Sequence, residues 1–152
     1  MKEFFIASSL EKIFPNSRDI AELERLSMLK NERKAFQLVF SAKKGDSISF
    51  DPESALFDYM HFSVVKMIKG GYVKDKKADD YYIEEPHEYY PDLLVPMKGT
   101  CFTALENGLN CVWVQIAGDT LPVGNHNICI KYGDEECSIE VRVIDAQLPK
   151  QS

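Results

Sequence analysis

The stretch NHNICIKYGDEECSIEVRVID, residues 125–145, contains two runs in which apolar and polar residues alternate. A period of two places every second side chain on the same face of a β-strand. The residues on the apolar face are Ile128, Ile130, Tyr132, Ile139, Val141 and Val143. The segment GDEE between the two runs, residues 133–136, is a turn signal. The stretch therefore predicts a β-hairpin with one buried face and one exposed face.

The same alternation recurs along the rest of the chain and predicts further strands. The segments that show it are AFQLVF (35–40) and CVWVQIA (111–117), and HFSVVKMIKGGYV (61–73) is a longer β-like run with a bulge or bend expected at its two glycines. The start of the chain, MKEFFIASSLEKIF, has only a short apolar run and carries Glu3, so it predicts a first strand and not a signal peptide. Many short strands separated by turns predict an all-β domain, a two-sheet β-sandwich of Ig-like or jelly-roll-like type.

Residues 17–32, SRDIAELERLSMLKNE, admit two interpretations. The residues that follow a roughly helical spacing are Ile20, Leu23, Leu26 and Leu29. Part of the same segment also alternates in the manner of a strand. Because the neighbouring segments predict strands, and because tertiary context often overrides intrinsic propensity, the strand is the favoured interpretation.

One stretch does not fit the strand pattern. Residues 74–100 are polar, aromatic and proline-bearing, which predicts a long irregular loop. Loops of this length are usually functional or are held in place by another part of the protein. The predicted sandwich occupies residues 1–145, and the tail AQLPKQS, residues 146–152, is predicted to be a linker.

The composition argues against several classes of function. The chain has 152 residues, of which 45% are hydrophobic, enough for one domain with its own core. Its net charge of -6 argues against a nucleic-acid partner. No apolar stretch is long enough to span a membrane, and without a visible signal peptide we expect a cytoplasmic protein. The four cysteines form no CxxC pair and the three histidines are scattered, so we expect free thiols and neither a metal site nor a cofactor.

Four segments, taken in order, resemble one known family. They are KNERKAFQLVF (30–40), YYPDLLVP (89–96), CVWVQI (111–116) and LPVGNHNICI (121–130). Together they resemble the N-terminal β-sandwich domain of bacterial glycoside hydrolase family 123-like proteins, a group with many members whose catalytic domain has no known function. In that pattern an Asn-Glu pair leads into a Phe-Gln strand, and a Tyr-Pro-Asp-x-Leu loop, a Trp-centred strand and a Pro-x-Gly turn follow. The resemblance covers nearly the whole chain.

The matching positions carry expectations about structure. The residues that fit the family pattern are Asn31, Glu32, Phe36, Gln37, Pro91, Asp92, Leu94 and Gly124. Asn31 and Glu32 precede a strand, where such side chains often close a turn through hydrogen bonds to the backbone. Gln37 faces away from Phe36, so we expect its side chain to be exposed or at an interface. The departures from the family pattern are Leu93, Asn125 and His126.

The resemblance also implies what the chain does not do. In the family, the sandwich precedes a (β/α)-barrel that carries the adjacent Asp-Glu pair of a substrate-assisted N-acetylhexosaminidase mechanism. A barrel of about 250 residues cannot be contained in this chain. The resemblance therefore implies that the chain itself is not an enzyme. It also implies that its partner is a downstream catalytic domain of the same polypeptide.

Tyrosines and acidic residues gather in the predicted long loop and are candidates for contact with a ligand or another domain. They are Tyr81, Tyr82, Glu85, His87, Tyr89 and Tyr90. A tyrosine ring suits a sugar or a protein surface, and a carboxylate accepts hydrogen bonds from sugar hydroxyls. Three roles stay open for this loop. It could plug the core with Leu93, Leu94 and Val95, contact the absent catalytic domain, or bind a glycan directly. The single tryptophan, Trp113, is a second candidate platform for a sugar, although a core position is favoured for it.

No catalytic constellation is visible in the sequence. The adjacent acidic pairs at 79–80, 84–85 and 135–136 are typical of the solvated surface of an acidic protein. We favour a non-catalytic accessory sandwich domain of a glycoside hydrolase-like protein. One alternative is a carbohydrate-binding module that uses the tyrosine-rich loop or Trp113. The other is an Ig-like module for protein interaction.

Overall fold

Eleven β-strands and one turn of 3-10 helix account for the regular structure of residues 3–69 and 89–149, which are the residues that the computed structural model describes. In chain order the elements are β1 (Phe4–Ser8), β2 (Arg25–Leu29), β3 (Lys34–Ala42), β4 (Ser47–Ser49), β5 (Asp51–Glu53), the 3-10 turn (Phe57–Tyr59), β6 (Met60–Lys69), β7 (Tyr89–Pro96), β8 (Cys101–Thr103), β9 (Gly108–Ile116), β10 (Gly124–Tyr132) and β11 (Glu135–Ile144). Strand β2 confirms the favoured interpretation of the segment that could have been a helix. Within the described part of the chain, no helix has the length and apolar character to cross a membrane.

The strands form two main sheets, which confirms the predicted β-sandwich. The first sheet has five antiparallel strands in the order β1-β3-β9-β6-β7. The second has four strands in the order β2-β11-β10-β5, in which β2 pairs with β11 in parallel and the other pairs are antiparallel. The short strands β4 and β8 form a separate antiparallel pair.

The hairpin that the sequence predicts is formed by β10 and β11. Ile128 lies opposite Ile139, and Tyr132 lies opposite Glu135 at the turn. Gly133 has a φ of 59°, a left-handed conformation that glycine adopts without steric cost. The predicted turn at 133–136 is too long, because Glu135 and its neighbour already pair as the first residues of β11.

The space between the two main sheets is filled by side chains from alternate positions of the strands. Buried members of this core include Phe36, Leu38, Phe40, Val112, Val114, Ile116, Ile128, Ile130, Ile139, Val141 and Val143. Phe40 lies at an aromatic centre, because its ring contacts four others. Its centroid lies 4.9 Å from Phe4, 5.1 Å from Tyr132, 5.5 Å from Phe102 and 5.6 Å from Phe50. Rings at these separations add attraction beyond the burial of apolar area.

We expect Phe40→Ala to lower the free energy of unfolding by about 3–5 kcal/mol, because it removes a fully buried ring and leaves a cavity. The matched control is Phe57→Ala, since the side chain of Phe57 is 45% exposed. That substitution should cost about 1 kcal/mol or less. Urea unfolding followed by circular dichroism measures both, and similar losses in the two variants would contradict the placement of Phe40.

A second, smaller apolar cluster covers the other face of the five-stranded sheet. Its buried members are Phe5, Ala7, Ile13, Val39, Leu109 and Cys111. Residues 9–24, which we call the crossing segment, supply Ile13 to this cluster. The Leu109 amide donates to the Pro15 carbonyl over 2.9 Å, so the segment is tied to β9. A Cβ atom at Gly108 would stand 2.3 Å from the same carbonyl oxygen, which explains why this position lacks a side chain.

Gln37 holds the start of the crossing segment, which corrects the prediction that it is exposed or at an interface. Its side chain is 3% exposed. Its Nε2 atom donates to the carbonyl oxygens of Ser8 and Glu11 over 3.0 and 2.8 Å. The prediction failed because the crossing segment covers this part of the outer face, and the strand pattern alone does not show what lies above it.

We expect Gln37→Leu to lower the free energy of unfolding by about 1–3 kcal/mol, because both donated hydrogen bonds are lost from a buried site. Gln115→Leu is the matched control on the same face of the sheet. The Gln115 amide has no hydrogen-bond partner among residues 3–69 and 89–149, so its loss should change stability by about 0.5 kcal/mol or less. Equal effects in thermal or urea unfolding would show that Gln37 does not anchor the segment.

Strand β7 corrects the prediction that residues 74–100 form one long loop. Residues 89–96 pair with β6 at the edge of the five-stranded sheet, with a register shift between Lys66 and Ile68. The prediction that Leu93, Leu94 and Val95 plug the core is also wrong, because these side chains are 41–43% exposed. The prolines that suggested a loop are tolerated here because an edge strand has one unpaired side. Residues 70–88 lie outside the described residues.

Candidate functional site

Trp113 lies on the outer face of the five-stranded sheet, where the second sheet does not cover it. Its neighbours in β9, Val112 and Val114, are fully buried in the main core, and side chains alternate between the faces of a strand. Directly opposite Trp113 are Gln37 in β3 and Ser63 in β6. Trp113 itself is only half-buried. The sequence analysis favours a core position for Trp113. In the structure its side chain is covered only in part, so some of the indole surface stays accessible.

A groove of about 490 Å³ opens beside Trp113. Its lining includes Leu10 from the crossing segment, Arg33 directly before β3, Lys34 at the start of β3 and Gln115 from β9. Leu26 of β2 and the neighbouring Leu23 also line it. The side chain of Leu10 is 91% exposed. No aspartate or glutamate is among the described residues that line the groove. The groove therefore combines apolar surface with positive charge, in a chain whose net charge is -6.

A second groove, also of about 490 Å³, has the opposite charge. Its lining includes Glu22, Glu24, Glu136 and Glu140, with Arg25 as its cation. All four glutamates are exposed. Among residues 3–69 and 89–149, no group of three or more histidine, cysteine or acidic side chains is arranged to hold a metal ion.

Asn31 and Glu32 organise the turn between β2 and β3. The Glu32 carboxylate accepts a hydrogen bond from the Leu29 amide over 2.9 Å, which is the turn-closing role predicted for it. Asn31 forms a reciprocal pair with the Leu148 backbone: its Oδ1 accepts over 2.7 Å and its Nδ2 donates over 3.2 Å. Lys30 adds an ion pair of 2.9 Å to Asp145. The described part of the predicted linker is thus attached to this turn, and the domain boundary at residue 145 stays a prediction.

The tyrosine-rich candidates are only partly described. Tyr81, Tyr82, Glu85 and His87 lie outside the described residues. Tyr89 begins β7 and is 49% exposed, whereas the half-buried ring of Tyr90 meets Phe14 edge-on at 6.1 Å between centroids. Asp92 forms an ion pair with Lys12. Tyr90 and Asp92 therefore attach the crossing segment to β7.

The remaining positions of the family pattern have separate places in the sandwich. Phe36 is fully buried in the main core. Pro91 and Leu94 belong to the edge strand β7, with Leu94 43% exposed. Gly124 begins β10 with a φ of 127°, a conformation that strongly favours glycine. Two residues after Gly124, the Nε2 atom of His126 donates a 2.8 Å hydrogen bond to the Pro122 carbonyl oxygen.

The cysteines are free thiols in the described structure, with Cys101 exposed, Cys111 buried and the other two half-buried. Burial raises the pKa of Cys111 to about 12, so this thiol stays protonated at neutral pH. Burial raises the pKa of Cys129 as well, with a smaller contribution from the charge of Glu136. Since the thiolate is the nucleophilic form, neither position favours cysteine chemistry.

The groove beside Trp113 unites residues that the sequence did not bring together. The sequence analysis assigns no ligand-binding role to Arg33, Leu10 or Gln115. One signal was present in the sequence: Trp113 and Gln115 share the strand face opposite to Val112 and Val114. The contribution of Leu10 was not predictable, because the path of the crossing segment determines it.

Comparison with known proteins gives a similarity of fold. No protein-family model matches the chain, and no curated protein matches it. Among solved structures, the chain is similar to a family 123 glycoside hydrolase from Clostridium perfringens, studied for its hydrolysis of glycolipid glycans. The TM-score is 0.66 at 10% sequence identity, and the match covers 96% of this chain and 28% of that one.

A second match has little similarity in structure. It is the PapD-like domain 7 of human CEP192, with a TM-score of 0.33 at 8% identity, covering 95% of this chain and 87% of that one.

The sandwich of this chain is similar in fold to part of a family 123 glycoside hydrolase, and it spans little more than a quarter of that chain's length.

Proposed function

We propose that this chain is a non-catalytic β-sandwich domain of a glycoside hydrolase family 123-like protein. The observation that carries the proposal is the fold similarity over 96% of this chain and 28% of the Clostridium perfringens enzyme. A match of that extent leaves room in the longer protein for a separate catalytic domain. The four sequence segments that resemble the family's N-terminal sandwich support the same proposal.

The chemistry of the two grooves described above supports a role without catalysis. Most glycoside hydrolases need two carboxyl groups, or a carboxyl group and the substrate's own amide, beside the scissile bond. The groove beside Trp113 has no carboxylate in its described lining, so it offers neither an acid nor a nucleophile. The second groove has four glutamates, but all of them are exposed to solvent, so none is held in an enclosed site beside a bound sugar.

Strand β7 is the surface that we assign to the contact with a catalytic domain. Its apolar side chains Tyr89, Leu93, Leu94 and Val95 are 41–49% exposed. Within residues 3–69 and 89–149 they lie on an edge strand, whose strand partner is β6. Such an edge usually needs protection, because unpaired backbone groups and apolar side chains together promote association. A neighbouring domain of the same polypeptide would provide that protection.

The proposal predicts that the isolated chain does not hydrolyse aryl N-acetyl-β-hexosaminides. A chromogenic assay at high protein concentration, with heat-inactivated protein as the control, measures this.

The coding sequence that follows the codon for Ser152 should encode alternating strands and helices with an adjacent Asp-Glu pair. Turnover by the isolated chain, or a downstream sequence without a barrel pattern, would contradict the proposal.

The assignment of β7 predicts a specific pattern of protection in a polypeptide that contains both domains. Carbene footprinting should label Leu93, Leu94 and Val95 strongly in the isolated sandwich and weakly in the longer polypeptide. Val123 is the internal control, since it is 51% exposed and lies outside β7. Its labelling should not change. Equal labelling of β7 in both proteins would place the domain contact elsewhere.

A further inference from the structure

The groove beside Trp113 has cations that the protein does not neutralise. Neither Arg33 nor Lys34 has an ion-pair partner within residues 3–69 and 89–149. Three other lysines of the described structure do pair with carboxylates: Lys12, Lys30 and Lys131. In an acidic chain, two neighbouring unpaired cations beside an apolar groove make a local site for an anion.

The same groove presents a flat apolar surface and unused polar groups. The half-buried indole of Trp113 offers part of its ring, and the Gln115 amide beside it has no hydrogen-bond partner in the described structure. A sugar ring has apolar C–H faces and a rim of hydroxyl groups, so it needs an aromatic platform together with amide donors and acceptors. The volume of about 490 Å³ lies within the range of small-molecule sites.

The backbone at Trp113 offers no strand edge to an extended peptide. A peptide that binds to a sheet usually adds a strand to an unpaired edge. Strand β9 has no such edge, because β3 and β6 pair with it on its two sides at Trp113. Among the described residues, however, β1 pairs with β3 only from Phe36 onwards, and Lys34 and Ala35 line the groove, so an acidic peptide is the competing occupant that a binding test must exclude.

We propose that the groove beside Trp113 binds a carboxylated sugar, such as a uronic acid residue of a glycan. The ring packs against the Trp113 indole, the carboxylate pairs with the Arg33 guanidinium, and the hydroxyls bond to the Gln115 amide. Lys34 has the strand parity of Phe36, so its ammonium adds positive charge to the groove from the other face of β3. Guanidinium groups suit this role because they can donate two parallel hydrogen bonds to a carboxylate. The choice of a carbohydrate rests in part on the proposed function, whereas the requirement for negative charge rests on Arg33 and Lys34.

The test uses the intrinsic fluorescence of the protein, which reports on this groove because Trp113 is the only tryptophan. The isolated chain is titrated with trigalacturonate, with a neutral galactose trisaccharide and with a short polyglutamate peptide. We expect trigalacturonate to change the emission with a dissociation constant in the millimolar range or below, and added salt to weaken the binding. The neutral trisaccharide should bind at least about tenfold more weakly.

A pair of double variants with equal charge change provides the control. Arg33→Gln with Lys34→Gln should weaken trigalacturonate binding at least about tenfold, because the charged hydrogen-bond donors are lost. Lys43→Gln with Lys44→Gln changes exposed lysines outside the described lining of the groove and should alter binding by less than about twofold. Calorimetry with Trp113→Phe should show weaker but measurable binding, since a smaller ring remains.

Several outcomes would overturn the proposal. No fluorescence change with trigalacturonate, equal binding of the neutral trisaccharide, or equal losses in the two double variants would each do so. Polyglutamate that binds as tightly as trigalacturonate would identify the occupant as an acidic polypeptide. None of these results depends on hydrolysis or on the sequence after Ser152, so failure here is distinguishable from failure of the accessory-domain proposal.

Discussion

The antiparallel register between β3 and β9 determines both faces of this protein. Phe36 lies opposite Val114 and Leu38 lies opposite Val112, so the main core is built from matched rows. Because the side-chain period of a strand is two, the same register places Gln37 opposite Trp113 on the other face. A slip of one residue would bury Trp113 and Gln37 between the sheets and expose the core. The stability of the sandwich and the chemistry of its outer face therefore have one common cause.

The crossing segment covers only part of that outer face, so one half of the face is buried and the other half is open to solvent. Over one half, Ile13 packs against Leu109 and Cys111, so the sheet is covered as well there as in the main core. Over the other half, the cover stops near Leu10, and Trp113 is left half-buried. Gln37 lies at the transition, since its amide holds the carbonyls of Ser8 and Glu11 at the start of the segment. The groove thus lies where the crossing segment leaves the end of β1 near Leu10, and Leu23 and Leu26 at the entry to β2 complete its lining.

The sequence predicted what depends on local alternation. The β10–β11 hairpin, the strand character of β3 and β9 and the burial of Ile128, Ile130 and Val141 follow from period-two patterns. Predictions that depended on long-range contacts failed. Gln37 was expected at the surface because its cover comes from a segment far away in sequence.

Edge strands posed a related difficulty. The sequence predicts a loop at the position of β7, because Pro91 and Pro96 argue against a strand that has a partner on each side. At the edge of a sheet that argument does not apply. Burial does not alternate along β7 either, so Leu93, Leu94 and Val95 show no period-two pattern of apolar and polar residues. The candidate site shows the same limit. The face of β9 on which Trp113 lies can be derived from its sequence neighbours. That Arg33 and Leu10 lie near it can be known only from the path of the crossing segment.

The two surfaces to which we assign functions lie on one sheet. Ser63 in β6 is opposite Trp113 on one side and opposite Pro96 of β7 on the other. With a strand spacing of about 4.8 Å, the end of β7 is about 10 Å from Trp113 across the sheet. The described lining of the groove, however, contains no residue of β6 or β7 and extends from Trp113 towards β3 and the end of β1. The proposed glycan contact and the proposed domain contact therefore lie on opposite sides of β9, so a domain that covers β7 would leave the groove open.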